Sequence, residues 1–190
     1  MGTIGIIAIA GIVVVVLLVL MIIGFYNSVV KLRNNRENAF ADIDVQLRQR
    51  HDLIPQLVET VRGYAKHESE TLQAVVEARN GAMRANTIDE KIAAENVLSS
   101  ALQGLKVTVE RYPDLKANQN FLQLQEEVSD VENKIAASRR FFNSTTKEFN
   151  TRIQTFPANI FAGIFGFHKE AFFDLGAERE TVSEVPKIQF

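Results

Sequence analysis

The residues of this chain best suited to metal or acid–base chemistry are its three histidines, His51, His67 and His168. A carboxylate-bridged metal bundle needs Glu-x-x-His on two helices. The residues three before the histidines are Arg48, Tyr64 and Phe165, so that motif is absent. His67-Glu68-Ser69-Glu70-Thr71 opens like a zinc-protease signature but lacks the second histidine. A solvated polar turn is the plainer reading. No serine sits in a Gly-x-Ser-x-Gly elbow, and no glycine-rich loop is built to cradle phosphate. A Ser/His/Asp set assembled by the fold stays open at this point. The patterns nevertheless favour a protein that is not an enzyme and carries no cofactor or metal.

The polar run Asp42, Asp44, Gln46, Arg48, Arg50, Asp52 is the other candidate. Residues two apart on a helix point to different faces, so the run cannot form one site. Asp44 and Arg48 are four apart, as are Gln46 and Arg50. Read simply, these are surface pairs, each worth roughly 0.2–0.5 kcal/mol. Arg50, however, occupies an apolar position of its helix. A second reading sets it against Glu132, or another acid of the last helix, where a buried pair would fix register. A third makes the opposite face a contact between copies of the protein.

Those residues are positioned by helices. Ile4 to Phe25 is an uncharged stretch of 22 residues, sixteen of them Ile, Val, Leu or Phe. As a helix it covers about 33 Å, enough to cross a hydrocarbon core. It is too long for a signal-peptide core, and no basic residue precedes it. Gly24-Phe25-Tyr26-Asn27-Ser28 offers no small-residue cleavage site, and without cysteine there is nothing to acylate. A retained transmembrane helix over 4–25 is expected. Lys31, Arg33 and Arg36 follow it, which orients residues 1–3 outside and the remainder in the cytoplasm of a cell membrane.

After Tyr26 the pattern is helical throughout. Phe40, Ile43, Leu47, Ile54, Leu57, Val61 and Tyr64 recur at steps of three and four. Pro55 lies inside this stripe and predicts a kink near His51-Asp52. Gly63 and the polar residues after it predict a break before Leu72, Val75, Val76 and Ala78; one helix running to about Ala85 is the alternative. Thr87-Ile88-Asp89-Glu90 has capping-box spacing. It opens a stripe of Ile92, Glu95, Leu98, Leu102, Leu105, Val109 and Tyr112 that Pro113 stops. Tyr112-Pro113-Asp114 reads as a turn, with a new helix from about Asn118. That last helix keeps its seam from Phe121 through Val131, Ile135, Phe142 and Phe149 to Phe156, and Pro157 ends it.

This predicts an all-α chain: a transmembrane helix (4–25), then an antiparallel four-helix bundle with long first and last helices (26–156). Six of the thirteen phenylalanines crowd into 156–173. If the helices alternate in direction, segment 157–173 returns to the bilayer surface, with Phe161, Phe165, Phe167, Phe172 and Phe173 at the interface and His168 and Lys169 facing head groups. Alternatively those rings only close the end of the bundle. A polar tail, 174–190, follows. The net charge of −2 and pI near 6.0 give no reason to expect nucleic acid.

The ordered motifs resemble the LemA family. The first block is Tyr26-Asn27, Leu32-Arg33-Asn34, Asp42-Ile43-Asp44-Val45-Gln46-Leu47-Arg48, Asp52-Leu53-Ile54-Pro55, Gly63-Tyr64 and His67-Glu68. The second is Tyr112-Pro113-Asp114-Leu115-Lys116-Ala117-Asn118, Asn120-Phe121, Glu132-Asn133-Lys134-Ile135-Ala136, Arg139, Phe156-Pro157 and Gly166-Phe167. Phe40, Phe142 and Phe149 stand where the family often has Trp or Tyr, so no ring hydroxyl acts at those places. The resemblance implies a single-pass membrane protein with a cytoplasmic helical bundle in a bromodomain-like arrangement and no established catalytic activity. It also implies association with membrane-bound zinc proteases or with magnetosome membrane formation. The expected function is therefore a scaffold that self-associates and organises membrane assemblies. The alternative is a monomeric adaptor for a membrane-bound protease or another membrane enzyme. The expected partners are the lipid bilayer and a second copy of the chain.

Overall fold

A computed structural model describes residues 2–173, and every regular element among them is helical. The elements are α1 (Thr3–Tyr64), α2 (Ser69–Arg84), α3 (Ile88–Val109), α4 (Pro113–Lys116), α5 (Gln119–Gln154) and α6 (Ala158–Ile164). α1 passes through Pro55 and stops at Tyr64, so the break expected after Gly63 is present and a helix running to Ala85 is not. α3 starts on a complete capping box. The Glu90 amide donates to the Thr87 hydroxyl at 3.2 Å, and the Glu90 carboxylate accepts from the Thr87 amide. α5 is capped by Asn118, whose side-chain oxygen accepts from the Phe121 amide at 3.0 Å. Two short helices, α4 and α6, join the four expected ones. Tyr112-Pro113-Asp114, read as a turn, instead opens α4, because proline suits the first helical position.

The described residues form two compact units. The first contains α1 up to Ala39, α5 from Phe141, α6 and the segment to Phe172. Its core is Phe25, Val29, Phe149, Ile153, Ala158 and Ala162, with Leu32, Phe161 and Phe167 packed on it. α6 ends in a Schellman motif. The Phe167 amide donates to the Ala162 carbonyl and the Gly166 amide to the Gly163 carbonyl. Gly166 has φ of 71°, a value glycine adopts without Cβ strain. The turn carries the Phe167 ring to within 6.5 Å of Phe149.

Arg36, one of the three flanking cations, is buried in this unit. It forms an ion pair with Glu170 at 3.1 Å, donates to the Thr146 hydroxyl and the Ala171 carbonyl, and lies over the Phe142 ring. The Asn150 amide group both donates to the Glu170 carbonyl and accepts from its N–H. Residues 170 and 171 are thereby fastened to α1 and α5.

The second unit holds residues 40–140 together with Phe173. One apolar cluster joins Ile54, Leu57, Val58 and Val61 of α1 to Leu72, Val75 and Ala82 of α2, Leu98, Leu105 and Val109 of α3, Leu115 of α4 and Phe121 of α5. These are largely the stripe positions read from the sequence. The stripes end earlier than predicted, since Tyr64 and Phe156 are both exposed. Both lie at helix ends, where there is little neighbouring chain to cover them.

Candidate functional site

The most buried polar cluster is in the second unit. α1 supplies Arg50 and His51, α3 supplies Glu95 and Ser99, and α5 supplies Glu132. Arg50 is 1% exposed and Glu95 2%. One guanidinium nitrogen donates to Glu132 Oε1 at 2.7 Å and to Ser99 Oγ at 3.3 Å. The other forms a close ion pair with Glu95 Oε2. His51 Nε2 lies 2.7 Å from Glu95 Oε1. An ionised carboxylate only accepts, so Nε2 carries the proton. The Arg79 guanidinium donates to the His51 carbonyl at 2.6 Å. Arg139 stands 4.0 Å from Glu132 and brings a second cation to the two carboxylates.

Electrostatics keep the cluster charged. Burial pushes the Glu95 carboxyl up, but the His51 hydrogen bond and the Arg50 charge outweigh it and hold the group below the usual glutamate value. Burial pulls the Arg50 guanidinium down, and the charges of Glu132 and Glu95 more than reverse that. The cluster links three helices, and each of its buried charges is costly without its partner. Among the described residues no three His, Asp or Glu side chains are placed to hold a metal ion.

The remaining candidates from the polar run are placed differently. Asp44 is half-buried. It pairs with Arg48 at 2.9 Å and, at closer range, with Lys91 of α3. Burial raises its carboxyl, yet Lys91 and Arg48 together hold it below the ordinary aspartate value. Arg48, Asp42 and Asp52 are exposed. Sequence reasoning paired Arg50 with Glu132 but missed Glu95, His51 and Lys91. The signal for Glu95 was available: a carboxylate in the middle of an apolar stripe requires a buried cation, and Arg50 is the cation in the equivalent position of α1.

In the first unit, the Phe161 ring is 5.9 Å from Phe25, Phe165 meets Tyr26 edge-on at 5.2 Å, and Phe167 is 5.9 Å from Tyr26. Phe172 is exposed. Phe173, grouped with them on composition, is instead buried in the second unit, stacked on Phe40 with the Arg139 guanidinium 5.1 Å from its ring centre. Adjacent residues in an irregular segment need not share an environment, and composition alone could not separate them.

A groove of about 890 Å³ lies between α3 and α5. Leu105, Val109, Phe121 and Val128 line it, with Glu132 and Arg139 also in its wall.

Compared with known proteins, residues 39–190 match the LemA family. The chain belongs to the LemA family. Protein LemA of Metamycoplasma hominis is 28% identical over 155 residues, covering 80% of this chain and 69% of that one. Magnetosome protein MamQ of Magnetospirillum gryphiswaldense is 22% identical over 189 residues, covering 86% and 70%. Magnetosome protein MamQ 1 of Paramagnetospirillum magneticum is 21% identical over the same length. None of these names denotes an enzyme. The LemA-matched region contains the whole Arg50 cluster and the groove. Preceding it is the apolar stretch of α1, whose most apolar span has no buried residue. Family, relatives and exposed apolar helix together describe a membrane-associated helical protein.

Proposed function

We propose that this LemA-family chain is a non-enzymatic, membrane-anchored scaffold that associates with copies of itself and organises membrane assemblies. The observation that carries the reading is the exposed apolar start of α1, since no part of the described protein covers it. A stripe of Ile, Val and Leu on every side of a helix is stable in water only when buried, and lipid is the remaining cover. Lys31 and Arg33 follow it and are exposed, which supports placing the following residues in the cytoplasm. The helical body is taken as an antiparallel bundle in which the Arg50 cluster sets register. Exposed Val45, Val97 and Val107, and the exposed charges of Asp42, Arg48 and Asp52, are the surface this reading assigns to contacts between copies.

The test is the native mass of the full chain extracted in mild detergent, against 21.3 kDa for one copy. A discrete particle of several copies is expected. A single chain throughout a concentration series would refute self-association. Release from membranes by alkaline carbonate, without detergent, would refute the anchor.

A second reading is supported by the groove between α3 and α5: an adaptor whose groove receives a helix of a membrane enzyme, such as a membrane-bound protease. A monomer that co-purifies with such an enzyme, and loses it when the groove residues Leu122 or Val128 are replaced by Asp, is the result this reading requires.

A further inference from the structure

Between Arg152 and His168 the chain carries no charged residue, and this stretch contains α6. Asn159 is the one polar residue of α6, and the large apolar side chains of such a helix are covered by protein or by lipid. α6 is buried on one side only. Ala158 and Ala162 face the core, whereas Ile160 and Ile164, four apart on the helix, are 54% and 72% exposed, and Phe156, just before the N-cap Pro157, is 81% exposed. Phe165 adds a further half-exposed ring.

What lies beside this face decides what covers it. Phe161 packs on Phe25, and Phe165 and Phe167 pack on Tyr26. Phe25 ends the strongly apolar stretch, and Tyr26-Asn27-Ser28 is the first polar segment after it. α6 is therefore held at the point where α1 leaves the hydrocarbon. Tyrosine is favoured at that depth, and phenylalanine on the apolar face of helices lying in the interface. Arg152, which lies over the Phe25 ring, and the exposed His168 and Lys169 bracket the segment with groups suited to phosphate head groups.

We infer that Phe156 to Phe167 is a membrane-interface foot, its exposed Phe156, Ile160 and Ile164 side chains embedded at the headgroup–acyl boundary of the bilayer crossed by α1. The inference rests on the anchor proposed above and assigns the chain a second, peripheral contact with the same membrane. The foot would set the height of the first unit at the membrane surface, which a single crossing helix leaves free to slide and tilt.

The chain has no tryptophan, so one introduced Trp is a unique reporter. The full protein is reconstituted in vesicles of phosphatidylcholine with a minority of phosphatidylglycerol, carrying nitroxide at a shallow or a deep acyl position. Three variants are compared: Ile164→Trp on the foot, Val16→Trp in the apolar stretch, and Val107→Trp on α3, where the residue is 64% exposed. The inference expects Ile164→Trp to lose most of its emission to the shallow nitroxide, Val16→Trp to the deep one, and Val107→Trp to neither. An unquenched Ile164→Trp beside a quenched Val16→Trp would overturn the foot and leave the anchor standing. If Val16→Trp is also unquenched, the anchor itself fails and the foot with it. A second measurement adds Ile160→Asp to Ile164→Trp. Both positions are exposed, so the fold has no reason to change, and quenching should fall several-fold. Quenching that persists unaltered would show that this face is not the one in lipid.

Discussion

Replacing Arg50 by alanine tests the physical basis of the body most directly. The substitution removes a guanidinium that is 1% exposed and leaves Glu95, 2% exposed, with His51 as its remaining hydrogen-bond partner. Glu132 is better placed, because it is partly open to solvent and has Arg139 within 4.0 Å. The loss is thus concentrated on one buried carboxylate, and removing one partner of such a pair costs about 3–5 kcal/mol. A domain of this size has about 5–15 kcal/mol in total, so Arg50→Ala should lower Tm by about 10–20 °C. The assay is thermal and urea unfolding of the detergent-solubilised full chain, followed by circular dichroism. The pH dependence supplies a second signature. Glu95 has a folded pKa below its unfolded value of about 4.3. A depressed carboxyl contributes stability that is fully present above the unfolded pKa and is lost as pH falls through the folded one. In the variant Glu95 loses Arg50 while burial remains, so its pKa rises and protonation relieves it. The gap between wild type and Arg50→Ala should therefore narrow as pH falls from 7 toward about 4. A loss under about 1 kcal/mol, with a gap that does not vary with pH, would refute the argument. It would mean that Arg50 is in effect a surface cation.

Other consequences follow from single contacts. Phe149→Ala, deep in the core of the first unit, should cost about 3–5 kcal/mol in unfolding experiments while leaving the protein resistant to alkaline extraction. Thr87→Ala removes the hydroxyl of the capping box and should lower stability by about 1 kcal/mol, with Thr87→Ser close to wild type. Gly166→Ala forces a Cβ into a left-handed turn and should cost about 1–2 kcal/mol in the same unfolding assay. Asp44→Asn releases Lys91 and Arg48; amide hydrogen exchange should rise around α3's first turns more than around α5.

Much of the fold was legible because it is encoded locally. The capping box at Thr87 needs only residues three apart, and the spacing of Ile43, Leu47, Ile54 and Val61 needs only the helical period. Gly63 and the polar residues after it were enough to end α1. The extra helices were harder to see. α4 is four residues long, shorter than any periodic signal, and α6 is seven residues long with a single polar residue, Asn159, too little contrast to show a stripe. The partners of Arg36 were hidden for a different reason: Glu170 and Thr146 lie more than a hundred residues further along the chain, beyond any local pattern.

From its own letters the chain determined that it is helical, that its first stretch is apolar enough to cross a membrane, and which residues of each helix turn inward. These depend on composition and period, which act over a few turns. Only the tertiary structure decided which charges meet. Arg50 could have taken several acids, and it takes Glu95 and Glu132, 45 and 82 residues away, because those carboxylates are the ones that packing places within reach. The separation of Phe173 from Phe161, Phe165 and Phe167 was settled in the same way, by neighbours distant in sequence.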